Sequence, residues 1–95
     1  MNIEFDGRSI LSEGSFHDAL AEALEFGPYY GGNLSALWDT LSTDVERPVR
    51  LVWKNSAASK AAMGASFDRV VNVLRRVEAE DSEMQYEAKF ELVLA

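Results

Sequence analysis

Between Ser9 and Glu46 the chain carries seven carboxylates, Glu13, Asp18, Glu22, Glu25, Asp39, Asp44 and Glu46, and not one Lys or Arg. The whole chain has a formal charge of -7, so the remaining residues balance to zero and the acidity belongs to one segment. A field of that sign attracts cationic surfaces and repels nucleic acid. In its middle lies Tyr29 to Leu41, YYGGNLSALWDTL, a tyrosine pair and a glycine pair ahead of an aromatic and acidic helical pattern. Exposed tyrosines give large contact area for little conformational entropy. The expectation is a surface that docks onto something basic, the simpler alternative being a solvated acidic face.

Other chemistries fit these residues less well. The stretch GPYYGGN opens onto a helix N-terminus, whose free amides can hold an anion. Phosphate loops add a Lys or an equivalent cation, and here bulky Tyr29 and Tyr30 stand where small residues would be needed. A tight turn or a protein-contact loop is the better reading. Asp39, Asp44 and Glu46 could supply oxygens to a hard cation or a carboxylate pair for hydrolysis, but their spacing matches no metal loop and they read as surface groups. The chain has one histidine, His17, and no cysteine. Disulfides, thiolate catalysis and cysteine zinc sites are therefore excluded, and no neighbouring nucleophile waits for His17 to activate it. His17 reads as a packing or hydrogen-bonding residue, Trp38 and Trp53 as core. These absences argue against most enzyme classes, and no cofactor or metal is expected.

The elements that must position these residues follow from periodicity. A chain of 95 residues makes a single domain, 1–95, which hides roughly 60 to 65% of its unfolded surface. No apolar run approaches the length of a membrane span, and MNIEFDGRSI lacks the basic-then-apolar layout of a secretion signal, so no membrane association and a cytoplasmic location are expected. The order strand, helix, helix, strand, helix, helix, strand predicts a small parallel α/β sheet. Asn2 to Phe5 reads as the first strand, ended by the turn pair Asp6-Gly7. The first helix is expected after the Gly14-Ser15 break, capped by Ser15, with Phe16, Leu20, Ala23 and Leu24 on its inner face, and stopped by Gly27-Pro28.

Asn33 is expected to cap the second helix, with Leu34, Leu37, Trp38 and Leu41 at i, i+3, i+4 and i+7 as its buried stripe. Ser35, Asp39 and Ser42 form the opposite, exposed stripe. Val49 to Trp53 reads as a strand buried on both faces. Ser56 to Met63 reads as a short helix ended by Gly64, and Ser66 as the cap of the next. That helix would bury Phe67, Val70, Val71, Leu74 and Val77 ahead of a polar run, Glu78 to Glu83. In the last strand Tyr86, Ala88, Phe90, Leu92 and Leu94 would point inward and Gln85, Glu87, Lys89 and Glu91 outward.

The tract PYYGGNLSALWDTL, followed by VERPVRLVW and a helix containing ASK, resembles the barstar family, intracellular inhibitors of barnase-like microbial ribonucleases. The resemblance runs without a gap from about Phe5 to Glu80, and only the region after Glu80 is longer here. It implies a three-stranded parallel sheet packed with about four helices and no enzymatic activity. It also implies a chain that is monomeric when free, acts from the cytoplasm as an immunity protein, and forms a 1:1 complex with an extracellular microbial ribonuclease. The second helix and the preceding loop would enter that enzyme's active site as a mimic of phosphate and nucleotide.

On this resemblance Asp39 anchors the contact and Tyr29 covers the cleft, stacking on the catalytic histidine or displacing the base. Tyr30, Gly31 and Asn33 shape the loop, Leu34 and Trp38 support the face, and Ser35, Ser42, Asp44, Glu46 and Arg76 complete the partner-binding set. Three positions depart from the family: Ser35 stands for a second aspartate, Asp44 for a tryptophan, and Arg76 for a glutamate. Arg76 would repel a basic partner, so a target less basic than barnase, a guanyl-specific ribonuclease for example, is expected. A barstar-like module for a non-ribonuclease toxin or regulatory partner is the alternative. A small hydrolase, which would depend on His17, is a third reading that nothing in the sequence favours.

Overall fold

A computed structural model describes residues 1–85 and 87–95. Its elements are β1 (Asn2–Asp6), α1 (Glu13–Ala23), α2 (Leu34–Thr43), β2 (Val49–Lys54), α3 (Ser56–Met63), α4 (Ala65–Glu83) and β3 (Phe90–Leu94). This is the predicted order, a three-stranded sheet and four helices. The strands pair in parallel as β1-β2-β3. Parallel neighbours need long crossovers, and the helices are those crossovers. Ile3, Leu51 and Leu92 lie side by side across the sheet, as do Phe5, Trp53 and Leu94.

One expectation fails at β2. Val49, Leu51 and Trp53 are buried, but Arg50 and Lys54 are exposed and Val52 is half-buried. The buried residues of the helices and of all three strands form one core, which leaves the opposite face of the sheet, with Glu4, Arg50, Lys54 and Glu91, open to water. Lys54 pairs with Glu4 there at 3.1 Å. The apolar character of Val49 to Trp53 therefore reflects the demand of one face plus strand propensity, not burial on two.

Trp53 lies at the centre of the core, stacked 5.2 Å from Phe16. Its indole N–H donates to Ser59 Oγ at 2.9 Å, and the Ser59 hydroxyl donates to the Gly7 carbonyl at 2.8 Å. The turn after β1 depends on glycine, since a Cβ on Gly7 would stand 2.2 Å from the Asn55 carbonyl oxygen.

Helix boundaries correct the sequence reading in four places. α1 starts at Glu13 with Ser12 as its cap, and Ser15 is the other half of a capping box: Ser12 Oγ accepts from the Ser15 N–H while Ser15 Oγ accepts from the Ser12 N–H. The helix ends at Ala23, ahead of Gly27-Pro28. Gly64, not Ser66, occupies the N-cap position of α4, and α4 continues through the polar run to Glu83. It continues because its inner stripe extends one more turn to Asp81, which is 3% exposed and acceptable there only as a paired charge. β3 is confined to Phe90–Leu94, with Phe90 and Leu92 inward and Leu94 exposed. The inward position expected for Tyr86 lies outside the described residues.

Candidate functional site

α2 is held at both ends. The Asn33 side chain accepts from the Ala36 N–H at 2.8 Å, as expected of an N-cap, a contact worth about 1 kcal/mol. Just before it, Gly32 has φ +66, a backbone conformation that favours glycine, and a Cβ on Gly31 would press on the Ala36 methyl. At the other end Arg47 donates to the carbonyls of Leu41 and Val45 at 2.6 and 2.7 Å. These carbonyls include one of the helix's unpaired last-turn acceptors.

Arg47 itself is fixed by Asp81, in a two-pronged pair of 2.9 and 3.1 Å. Asp81 also accepts from the Phe90 N–H at 2.8 Å, so one buried carboxylate ties α2, α4 and β3 together. Burial, the largest influence on Asp81, pushes its pKa up. The hydrogen bonds from Arg47 and Phe90 outweigh it and hold the carboxyl below the ordinary carboxylate range.

Between these fixed ends the faces of α2 diverge. Leu37 and Leu41 are fully buried, while Leu34 and Trp38 are only half-buried at its edge. Ser35 and Asp39 are exposed. The Thr43 hydroxyl donates to the Asp39 carbonyl at 2.6 Å, and no hydrogen bond or ion pair ties the Asp39 carboxylate to the described residues. Ser42 departs from the expected exposed stripe. It is half-buried, its buried hydroxyl has no partner among the described residues, and it faces a separate hollow near Arg47 and Asp81. The loop that carries Arg47 covers that flank of the helix, which helical spacing alone does not reveal.

Two further hollows border α2. One is a groove of about 300 Å³ formed by Leu34, Ser35, Trp38 and Asp39 with Val73 and Arg76 of α4. Here Arg76 lies on Trp38, its guanidinium carbon 4.6 Å from the ring centre. A cation on an aromatic face contributes about 0.5–1 kcal/mol at an exposed site. Trp38 is thus partly core and partly groove wall.

The other hollow is a recess of about 530 Å³, bordered by Phe26, Tyr29 and Tyr30 of the α1–α2 loop and by Thr40, Asp44 and Glu46. Tyr29 is 97% exposed, its ring left open to solvent. Tyr30 is half-buried against Phe26, ring centres 4.8 Å apart. Its hydroxyl lies 2.6 Å from Nδ1 of His17, and Nε2 of His17 lies 3.1 Å from Glu13 Oε2.

That chain has one consistent proton arrangement when Glu13 is ionised and His17 neutral. Glu13 accepts from Nε2–H, so Nδ1 is bare and accepts from the Tyr30 O–H. Burial first, and then the negative charge of Glu13, pushes the Tyr30 phenol up to about 12, which agrees with a hydroxyl that must stay a donor. His17 is 3% exposed, so its task is to hold the loop. The i,i+4 spacing of Glu13 and His17 was a legible hint. The link to Tyr30, like the pairing of Arg47 with Asp81 and the share of Val73 in the groove, carried no sequence signal.

The predicted residues thus fall into groups. Leu34, Ser35, Trp38, Asp39 and Arg76 line the groove, Tyr29, Tyr30, Asp44 and Glu46 line the recess, and Gly31 and Asn33 shape the turn before α2. Among the described residues no three His, Asp or Glu side chains gather as a metal site, and no helix is long and apolar enough to cross a membrane. The surface presents carboxylates and aromatics on a firm helix, an arrangement suited to binding a cationic protein surface.

The family model described as Barstar (barnase inhibitor) matches residues 1–95. The Bacillus subtilis (strain 168) protein named "Putative ribonuclease inhibitor YrdF" is 40% identical over 78 residues, which cover 82% of this chain and 86% of that protein.

Proposed function

Because this chain belongs to the barstar family, a family of inhibitors and not of enzymes, we propose that it inhibits a microbial ribonuclease by setting Asp39 into the enzyme's active site. A ribonuclease must gather cationic side chains to bind the phosphates of RNA, and a protein carboxylate presented there can occupy the phosphate's place through charge-assisted hydrogen bonds. The observation that carries this reading is Asp39 itself. It is an exposed carboxylate without a partner among the described residues, on a helix whose two ends are clamped by Asn33 and Arg47. Such a group arrives already oriented, so little ordering cost opposes binding.

The recess supplies the second part of the contact. Tyr29, wholly exposed, covers the catalytic cleft, while Tyr30 holds the loop from behind through His17. Asp44 and Glu46 extend the negative field, with Ser35, Leu34, Trp38, Ser42 and Arg76 completing the contacting and supporting set. The complex is 1:1 with a secreted ribonuclease less basic than barnase, and the free chain is a monomer that protects its own cytoplasm.

The test is an RNA-cleavage assay with a secreted ribonuclease from the source organism. An equimolar amount of this protein should abolish cleavage, added salt should weaken inhibition through slower association, and Asp39→Ala should release the enzyme. If the proteins captured from the secreted fraction include no ribonuclease, the reading fails. A second reading, a non-ribonuclease client, is favoured by one observation, Arg76 beside Asp39 in the groove. It would show as tight binding to a captured protein that cleaves no RNA.

A further inference from the structure

The groove next to Asp39 holds a cation that a purely acidic inhibitor surface would not need. Arg76 is exposed, its guanidinium rests on the face of Trp38 at 4.6 Å, and it shares the groove with Asp39 and Ser35. Among the described residues it makes no hydrogen bond and no ion pair, whereas Arg8, Arg47 and Arg75 are each bonded to a carboxylate. Stacking on Trp38 limits its freedom without using any of its N–H donors. The planar fork is therefore held beside the Asp39 carboxylate with its hydrogen-bonding capacity unspent.

We infer that Arg76 sets partner specificity: the ribonuclease presents an Asp or Glu on the rim of its cationic cleft, and that carboxylate pairs with Arg76 while Asp39 occupies the cleft. This inference rests on the proposed inhibition through Asp39. Charge complementarity carries it. A cluster of cations facing the whole groove would meet Arg76 as a like charge, which costs binding, whereas a carboxylate next to the cluster satisfies both charges of the groove at once. Arg also suits the role geometrically, because its fork can take a carboxylate through two parallel hydrogen bonds. A partner with an unbroken basic rim is thereby rejected, a repulsive element that acts alongside the attraction at Asp39.

The probe is the secreted ribonuclease that the wild-type chain inhibits, purified by its RNA-cleaving activity. Inhibition constants are measured for the wild type and for Asp39→Ala, Arg76→Glu and Arg76→Lys, with circular dichroism to establish that each variant is folded. Arg76→Glu is expected to weaken inhibition about a hundredfold and Arg76→Lys less than about tenfold, since the lysine keeps the charge but not the fork. Carbodiimide treatment of the Arg76→Lys complex should join the new amine to an Asp or Glu of the ribonuclease, identified by mass spectrometry.

Unchanged or tighter inhibition by Arg76→Glu, with Asp39→Ala still strongly impaired, would overturn the rim carboxylate and leave the proposed function standing. So would coupling of the new amine to this chain's own Asp39 alone. Loss of effect in both Asp39→Ala and Arg76→Glu would overturn the proposed function together with this inference.

Discussion

The groove between α2 and α4 and the recess at the α1–α2 loop share one helix as a wall, yet they hold charge in different ways. The recess sets Glu25, Asp44 and Glu46 around tyrosines, and among the described residues of its lining only Met1, through its terminal ammonium, carries a cation. The groove sets Asp39 against Arg76 within a few side chains. A hollow dominated by negative charge attracts cationic surfaces in general and acts mainly on the rate of encounter. A hollow with both signs discriminates, because a partner must match the pair. The two also differ in how they are braced. The recess depends on a hydrogen-bonded chain from Glu13 through His17 to Tyr30, the groove on the rigidity of α2 and the stacking of Arg76 on Trp38.

The largest expected effect lies in the groove. Asp39→Ala should lose on the order of 3 to 6 kcal/mol of binding, because truncating an anchoring charge leaves the partner's buried cations unpaired. Because Asp39 is exposed, folding stability should stay within about 0.5 kcal/mol. Titration calorimetry beside thermal unfolding separates the two, and less than a tenfold loss of affinity would remove Asp39 from its role.

Next comes the brace common to both hollows. Asp81→Asn should cost about 3 kcal/mol of stability by leaving the Arg47 guanidinium without its counter-charge, as read from denaturant unfolding. The pH dependence follows from the lowered pKa of Asp81. Its contribution is present above the unfolded carboxylate value of about 4 and is lost as pH falls through the still lower folded value. The wild type should therefore lose stability on acidification in this window, and the variant should lose less.

In the recess, Tyr29→Ala should cost about 2 kcal/mol of binding and almost no stability, since the side chain is almost fully exposed. A fully stable variant with unchanged affinity would show that the recess is not in the contact. Tyr30→Phe should cost about 1 kcal/mol of stability by leaving His17 Nδ1 without its donor. Spectrophotometric titration of the wild type should find a phenol ionising at about 12. Because that value lies above the unfolded one of about 10, the stability it confers is complete below pH 10 and fades as pH rises through about 12. The smallest effect thus tests whether the loop's brace matters to the fold before it matters to the partner.

Much of this was legible in the chain. The period of Leu34, Leu37 and Leu41 and the cap at Asn33 define α2 because both signals are local, a repeat of about 3.6 residues and a side chain within reach of its own helix's first free amides. The same spacing sets Ser35 and Asp39 together on the wet side. It failed for Ser42, whose flank is covered by a loop several residues ahead in sequence. It also failed for the end of α4, where the core stripe was expected to stop ahead of the polar run Glu78 to Glu83, and Asp81 is buried against an arginine 34 positions earlier. A pattern read along one element cannot identify charges whose partners come from another.

What the residues alone determined was the order of elements, the parallel sheet, the concentration of negative charge before Glu46 and the wet face of α2, all consequences of periodicity and composition that need no knowledge of distant neighbours. Tertiary structure alone decided that one face of the sheet stays open, that Asp81 clamps Arg47, that His17 reaches Tyr30, and that Arg76 comes to rest on Trp38 beside Asp39. The physical reason is the same in each case: hydrogen bonds, ion pairs and stacking act over a few ångströms, and only the packing of helices on the sheet brings residues 13 to 38 positions apart within that range.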